Sequence, residues 1–181
     1  MGKYALPKSM AYYIQPAFKF GSHLPILIKA LSLTHGPALE MGMGMSSSIV
    51  MHWMCATEKR QLVSYENSYE YWRGWGRHFE RGRGHEFHKV VHIKDWSEAD
   101  IEHPWDVAFL DHNPAERRKE DIKRLANLAQ YIIIHDSEGR RDKGYRYSEI
   151  YSLFKWRYNY TLYLPQTTIL SNFVDLRNFS V

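Results

Sequence analysis

The sequence predicts an α/β domain with a mostly parallel central sheet and an antiparallel pair of strands near its C-terminal end. Between residues 24 and 135, short apolar runs alternate with amphipathic segments, which is the pattern of βαβ units. Two alternating segments joined at Pro165-Gln166 follow them and predict the antiparallel pair. Polar residues stand directly after most of the apolar runs, where open parallel sheets bind their ligands.

Length and composition predict one domain over residues 1–181, with an irregular segment at 1–21. The net charge of +4 and pI of about 9.1 indicate weak attraction to anions and not a dedicated nucleic-acid binder. The one cysteine, Cys55, excludes an intrachain disulfide. No apolar run approaches the ~20 residues of a membrane span, so we expect a cytoplasmic protein. The aromatic content of 15% fits either stacking surfaces or a bulky core with a homo-oligomer contact.

The first half of the chain predicts three helices and two strands. Apolar spacing predicts a helix from Ser22 to near Gly36, and a short strand at 38–41 leads into a glycine turn at 42–44. A helix is expected at 46–56 with a serine as its N-cap. A strand at 61–66 (QLVSYE) and an aromatic-rich helix at 69–79 follow.

The second half continues the alternation. Strands are expected at 89–94 (KVVHIK), 106–110 (DVAFL) and 131–135 (YIIIH), the last two apolar enough to be buried on both faces. The helix at 115–128 has most of its charges away from its apolar face. Residues 155–164 and 167–173 predict the antiparallel pair.

The glycine turn is the first candidate binding site. Gly42 and Gly44 let a ligand approach the backbone closely, and the helix that begins at Ser46 offers free N–H donors. The third glycine of a dinucleotide fingerprint would fall at position 47, which is Ser47. Glu40 would repel a pyrophosphate but attract a cationic amino-acid group. These features favour S-adenosylmethionine over NAD.

Two further strand ends supply acids. Glu66 follows Gly44 by 66 − 44 = 22 residues, the interval at which an acid can accept from ribose hydroxyls. Asp95 and Trp96 follow the third strand and offer a carboxylate and a ring for an adenine. Each acid taken alone is also explained as a solvated residue at a strand end, so their occurrence at successive strand ends is the informative observation.

The pattern E-x-G-x-G-x-S at 40–46, with acids ending the following strands, resembles the class I S-adenosylmethionine-dependent methyltransferases, which have a Rossmann-like fold. Residues 105–137 resemble catechol O-methyltransferases in the run FLDH, and equally a group that includes rhamnosyl O-methyltransferases and cephalosporin-hydroxylase-like proteins in the run HDS. The resemblance covers about residues 24–137. It implies that the cofactor-binding residues are Glu40, Gly42, Gly44 and Ser46 on the methionine side, Glu66 at the ribose, and Asp95 with Trp96 at the adenine.

The resemblance also implies which residues lie where the methyl group is transferred. Carboxylates after the fourth and fifth strands hold a divalent metal in the metal-dependent relatives, and Asp111, Asp136 and Ser137 occupy those positions. Such oxygen ligands suit Mg²⁺, Mn²⁺ or Ca²⁺. The lysine base of those relatives is missing. His112 and His135 stand beside the acids and are the candidate general bases, with Asp111 as the third catalytic residue. For His135, bonding to a backbone carbonyl is an equal alternative, and a metal site and its absence both stay open.

The function these residues favour is O-methylation of a small hydroxylated acceptor, with or without a metal. The basic loop at 139–147 and the arginines at 73, 77, 81 and 83 favour an anionic acceptor or describe a solvated surface. Two alternatives remain: a non-catalytic protein of this fold that binds the cofactor or a partner, and an RNA-directed methyltransferase.

Overall fold

The computed structural model describes residues 20–181, so the segment predicted to be irregular lies outside the described residues except for its last two positions. One seven-stranded sheet spans the chain from residue 38 to residue 171, in the order β3-β2-β1-β4-β5-β7-β6. Its strands are β1 Ala38–Met41, β2 Leu62–Glu66, β3 His88–His92, β4 Trp105–Leu110, β5 Ala129–His135, β6 Trp156–Tyr160 and β7 Thr167–Ser171.

Helices cover both faces of this sheet. The longer ones are α1 Leu24–Ser32, α2 Ser47–Glu58 and α5 Arg118–Leu125. Two single turns, α3 Tyr69–Tyr71 and α4 Arg77–Phe79, enclose a π-helical turn at Trp72–Gly76, and α6 Asp142–Tyr145 follows β5. No helix within residues 20–181 is long and apolar enough to cross a membrane.

The predicted sheet is confirmed in its strand directions. Strands β1 to β5 are parallel neighbours, and β7 is antiparallel to both β5 and β6. β7 therefore lies between β5 and β6, with Tyr160 opposite Thr167. The order reverses between β1 and β4, so the carboxyl ends of these two strands flank the crevice where such sheets bind ligands.

The central strands are buried because each faces a core on both sides. Along β4, Ala108 and Leu110 pack into one core and Val107 and Phe109 into the other. This explains the continuous apolar runs in the sequence, since a strand covered by helices on both faces has no polar face.

Several boundaries differ from the sequence prediction. α1 ends at Ser32 instead of near Gly36. Gly36 lies in the loop before β1, and its amide donates to Asp106 of β4. The predicted helix 69–79 is interrupted by its π turn in the glycine-containing run WRGWG, and the helix predicted at 115–128 starts with a 3₁₀ turn and ends at Leu125. β6 ends at Tyr160 because residues 161–166 form the connection to β7.

Candidate functional site

The glycine turn after β1 lies directly against the end of β4. Gly42 has φ +89°, and its amide donates to the carbonyl of Tyr65 at 2.9 Å. A Cβ added there would lie 2.6 Å from the Cα of His112. Only glycine fits this position without displacing the backbone that follows Asp111. Gly44 is less confined, since the nearest atom to an added Cβ is the Ser47 Oγ at 3.5 Å.

Glu40 lies beneath the turn, fully buried. The Ser48 Oγ donates to both of its oxygens, at 2.9 and 3.0 Å, and accepts from the Gly44 amide at 3.0 Å. Glu40 therefore positions the glycine turn through Ser48 and does not itself face the crevice. Ser46 precedes α2, but its side chain makes no capping hydrogen bond.

A buried chain of polar side chains leads away from Glu40. The Ser64 Oγ lies 2.6 Å from a Glu40 oxygen and 2.8 Å from the Nε2 of His88. The Nδ1 atoms of His88 and His52 lie 3.1 Å apart, and the His52 Nε2 lies 2.9 Å from the carbonyl of Arg83.

The protons of this chain can be assigned, because the Arg83 carbonyl can only accept. His52 donates to it through Nε2, so its Nδ1 accepts from His88, whose Nε2 then accepts from the Ser64 hydroxyl. If all members are neutral, Ser64 accepts from a protonated Glu40. When Glu40 is ionised, the Ser64 hydroxyl donates to the carboxylate instead. Burial is the main cause that raises the pKa of Glu40 to about 7, consistent with this assignment, and burial holds the pKa of His88 at about 3.

Glu66 ends β2 at the crevice, as the sequence predicts. Its Oε2 accepts from the Met43 amide at 2.8 Å and its Oε1 from the Ser68 amide at 2.7 Å. Burial raises the pKa of Glu66, against the effect of these amides. The carboxylate thus ties the glycine turn to the end of β2, and three amide donors leave it capacity for one further donor.

Asp95 and Trp96 are farther from the crevice edge than the sequence suggests, because β3 ends at His92. Asp95 is exposed and accepts from the amide and hydroxyl of Ser97. Trp96 is buried, donates through Nε1 to the carbonyl of Asn113 at 2.6 Å, and packs on the ring of His112 with centroids 4.2 Å apart. Its indole therefore already has partners on the described chain.

Asp111 and His135, at the ends of β4 and β5, form a close pair. The His135 Nδ1 lies 3.2 Å from the Asp111 Oδ2, and the Asp111 Oδ1 lies 2.9 Å from the Nη2 of Arg118. Burial opposes ionisation of Asp111, but these contacts outweigh it and lower its pKa. The Asp111 side chain is 29% exposed, so this pair can contact a bound molecule.

His112 points away from the pair. Its ring is fully buried, with Nε2 3.1 Å from Asp121 in α5, and burial is the main cause that lowers its pKa. A ring in this position has no open path to an acceptor in the crevice. The structure therefore brings Asp111 and His135 together but not His112, and His135 is the better-placed candidate base.

The three residues expected to hold magnesium do not fit that ion. Asp136 lies 3.1 Å from the Nη1 of Arg141 and accepts from the Tyr145 hydroxyl at 2.6 Å. Arg118 lies between Asp111 and Asp136, so both oxygens of Asp136 have arginine partners and only the Oδ2 of Asp111 has none among the described residues. The Ser137 Oγ accepts from Thr168 in β7 at 2.8 Å.

Arg118 was not identified from the sequence, although a signal existed. It is 2% exposed and also donates through Nε to the His112 carbonyl at 2.6 Å. Positions 118, 122 and 125 have the i, i+4, i+7 spacing of one helix face. Since Ile122 and Leu125 are core residues, this spacing places the arginine on the buried face of α5.

Ser22 and His23, before α1, also reach this site without a local sequence signal. The Ser22 Oγ lies 3.0 Å from the His135 Nε2 and donates to the carbonyl of Pro165 at 2.7 Å. The His23 ring packs on Phe109 and edge-on to His135, with centroids 4.6 and 4.8 Å apart. Only the tertiary fold brings residues 113 positions apart into contact.

Comparison with known proteins gives matches in structure only. No protein-family model matches the chain, and no curated protein matches it in sequence. The delta-N METTL16 MTase domain superposes with a TM-score of 0.62, at 10% identity and over 84% of each chain. The N-terminal domain of human METTL16 in complex with SAH gives 0.62 at 11% identity, over 84% of this chain and 70% of that one.

Neighbours that cover more of this chain come from bacteria. A Klebsiella pneumoniae protein, provisionally described as an O-methyltransferase, gives a TM-score of 0.60 at 12% identity, over 96% of this chain and 84% of that one. Cofactor-bound Rv0187 from MTB gives 0.61 at 12% identity with the same coverage. Together with the strand order, these similarities show that the chain has the fold of the class I S-adenosylmethionine-dependent methyltransferases.

Proposed function

We propose that the protein binds S-adenosylmethionine and transfers its methyl group to a hydroxyl of a small acceptor. The observation that supports this most is the glycine turn, which Gly42 packs against the end of β4 and Glu66 ties to β2. A turn with these two ties is held at the carboxyl end of β1, beside the β1–β4 crevice where this fold binds its ligands, and α2 begins shortly after it at Ser47. Neighbours of the same fold have been solved with SAH or cofactor bound.

In this proposal the turn and Glu66 bind the methionine and ribose parts, while Asp95 lies at the outer edge for the adenine. Glu40 and Ser46 support the turn from below and beside it. Asp111 faces the acceptor, backed by His135 and Arg118. The acceptor oxygen forms a bond to the methyl carbon as the carbon–sulfur bond breaks and the sulfonium becomes a neutral thioether. The hydroxyl proton passes to the Asp111–His135 pair.

Ligand-dependent thermal unfolding tests the cofactor. S-adenosylmethionine or S-adenosylhomocysteine at about 100 times its Kd should stabilise the fold by ~2.7 kcal/mol, which raises Tm by roughly 5–10 °C for a domain of this size. NAD should give no rise. If neither sulfur nucleotide raises Tm, the methyltransferase proposal fails and the non-catalytic alternative of a partner-binding fold replaces it.

Gly44→Ala tests whether the cofactor contacts the glycine turn, without changing the stability of the fold. Its added Cβ meets only ordinary contacts within the protein, so we expect an unchanged Tm without ligand. The methyl group would lie where a cofactor approaches the turn, so binding of S-adenosylhomocysteine should weaken by at least about tenfold. Gly139→Ala is the matched control, because nothing lies within 4 Å of the Cβ it would add.

One observation supports RNA as a second candidate acceptor. Arg73, Arg77, His78 and Arg81 line one surface depression after β2, and a structural neighbour, the hMettl16 catalytic domain, was solved with an RNA hairpin. If an RNA hairpin is the substrate, its binding should fall steeply with salt and the slope should decrease in Arg77→Gln. Methylation of a catechol-type acceptor with no salt-dependent RNA binding would favour the small molecule.

A further inference from the structure

We propose that His23, Asp111 and His135 form a binding site for one divalent first-row transition-metal ion. This set shares only Asp111 with the residues expected to hold magnesium. The site does not depend on the proposed methyl transfer, since it is defined by the side chains that converge beside the glycine turn.

The geometry of the three side chains fits such an ion. Each offers one ligand atom, and these atoms lie within 4.8 Å of one another. Two ligand atoms about 2.1 Å from an ion, at an angle of about 100°, are about 3.2 Å apart. The His135 Nδ1 and the Asp111 Oδ2 are 3.2 Å apart, so an approach of at most about 1.6 Å by the His23 ring would complete the set.

His23 provides an independent indication. Its side chain is buried, and neither ring nitrogen has a hydrogen-bond partner among residues 20–181. A buried imidazole with two unused nitrogens is costly, because both were hydrogen-bonded to water in the unfolded chain. A metal ion would use one nitrogen and remove part of that cost.

The contacts of His135 direct its Nδ1 at the carboxylate of Asp111. The Pro165 carbonyl accepts the Ser22 hydroxyl proton, so the Ser22 oxygen accepts from the His135 Nε2. The remaining nitrogen of a neutral His135 therefore directs a lone pair at the carboxylate of Asp111. One ion between these two atoms would take both as ligands, and the His23 ring supplies the third.

The groups behind the ligands hold them in place. The Ser22 hydroxyl fixes which nitrogen of His135 is free, as outer hydrogen bonds commonly do for metal-binding histidines. Arg118 holds the other oxygen of Asp111 at 2.9 Å, which leaves one oxygen for the ion. Two imidazoles with one carboxylate suit Zn²⁺, Fe²⁺ or Co²⁺ better than Mg²⁺.

The site is open on the side of Asp111, which is 29% exposed, while both histidines are buried. Three protein ligands leave coordination positions free, as in catalytic rather than structural sites. The ion would thus face the crevice beside Gly42 and accept an oxygen or nitrogen of a bound molecule.

Co²⁺ binding to the full chain tests this site. Protein stripped with a chelator would be titrated with Co²⁺, with visible absorption and metal analysis after gel filtration as readouts. We expect one ion per chain. His23→Phe keeps a ring against Phe109 but removes a ligand, and should weaken Co²⁺ binding at least about tenfold, as should Asp111→Asn. Ser22→Ala should weaken it by about 10–100-fold.

His103→Gln is the control for binding by surface histidines, because His103 is exposed and packs on Trp105 outside the site. It should bind Co²⁺ like wild type. Equal binding by wild type and folded His23→Phe, or no binding by wild type, overturns the site and leaves Asp111 and His135 as a hydrogen-bonded pair. Binding of S-adenosylhomocysteine, measured in the same samples, shows whether the proposed function fails separately.

Discussion

At the scale of single residues, a buried arginine organises the polar cluster at the ends of β4 and β5. Arg118 contacts both carboxylates and two backbone carbonyls at the ends of β4 and β5. Its guanidinium also lies over the ring of Tyr145, 4.9 Å from the centroid. A planar group with five donors suits this position, where a lysine could not reach the same partners.

Arg118→Met should therefore be strongly destabilising. The substitution keeps most of the packing volume but leaves Asp111 without its arginine, and such losses cost about 3–5 kcal/mol. Urea unfolding at neutral pH measures the change. Arg140→Met is the matched control: its side chain is 68% exposed, so the expected change is below about 0.5 kcal/mol. Similar losses for the two variants would contradict the buried-pair interpretation.

The geometry of the glycine turn could be predicted from the sequence, whereas that of the polar cluster after β4 and β5 could be predicted only in part. Gly42 and Glu66 have local signals, because a strand end and a glycine turn are both visible in the sequence. Ser22, His23 and Arg118 were missed since their roles depend on contacts between distant segments. Position along the chain predicts Trp96 as an adenine contact and His112 as a general base, but it cannot show that the two rings pack on each other.

At the scale of elements, α2 packs on the face of β1, β2 and β3 that contains the polar chain from Glu40 to His52. Hydrophobic residues would be expected between a helix and a sheet. Here Ser48 and His52 of α2 meet Glu40, Ser64 and His88 of the three strands. These elements are therefore joined by hydrogen bonds between groups whose protonation depends on pH.

Glu40→Gln tests this pH dependence. The folded-state pKa of Glu40 is raised to about 7 from an unfolded value near 4.5. This group therefore costs no stability below about pH 4.5, and an increasing penalty as pH rises to about 7. Glutamine mimics the neutral carboxyl, so relative to wild type the variant should gain about 3 kcal/mol between pH 4.5 and 7.5.

Urea unfolding of both proteins at several pH values measures that gain as a difference. His88 titrates in the opposite sense, since its pKa of about 3 makes stability fall as pH drops below the unfolded value of about 6.5. His88 is present in both proteins, so its effect cancels in the difference. Parallel stability curves for wild type and Glu40→Gln would mean that Glu40 is ionised when folded.

Element boundaries were less predictable than element types. The predicted helix 69–79 contains a π turn, and the third strand ends at His92 instead of residue 94. Periodicity identifies which face of a segment is buried, but where a segment ends depends on partners such as Asp106, which binds the amides of His35 and Gly36. Such contacts come from a strand about 70 residues later in the chain.

At the scale of the whole molecule, stability should decrease from the centre of the sheet to its edges. β4 and β5 are almost completely buried between the two cores. β6 forms one edge and alternates between exposed and half-buried positions before Tyr160. Strands at the edge open by local fluctuations that do not require global unfolding.

Amide hydrogen exchange should show this order directly. Amides of β4 and β5 should exchange only through global unfolding, with the highest protection in the described part of the chain. Amides of β6 should exchange at least about tenfold faster under native conditions. Equal protection of β6 and β4 would indicate that a further contact covers this edge, and a concentration-dependent protection of β6 would identify that contact as a homo-oligomer.

The close approach of Gly42 to the backbone after Asp111 has a thermodynamic consequence. If the proposed cofactor pushes the turn toward β4, the His112 backbone has to move, and with it the carboxylate one residue earlier. Occupancy of the two sides of the crevice is then linked, and linkage is reciprocal. Whatever factor the cofactor imposes on affinity at Asp111, a ligand at Asp111 imposes the same factor on the cofactor, so the order of binding cannot change the total free energy.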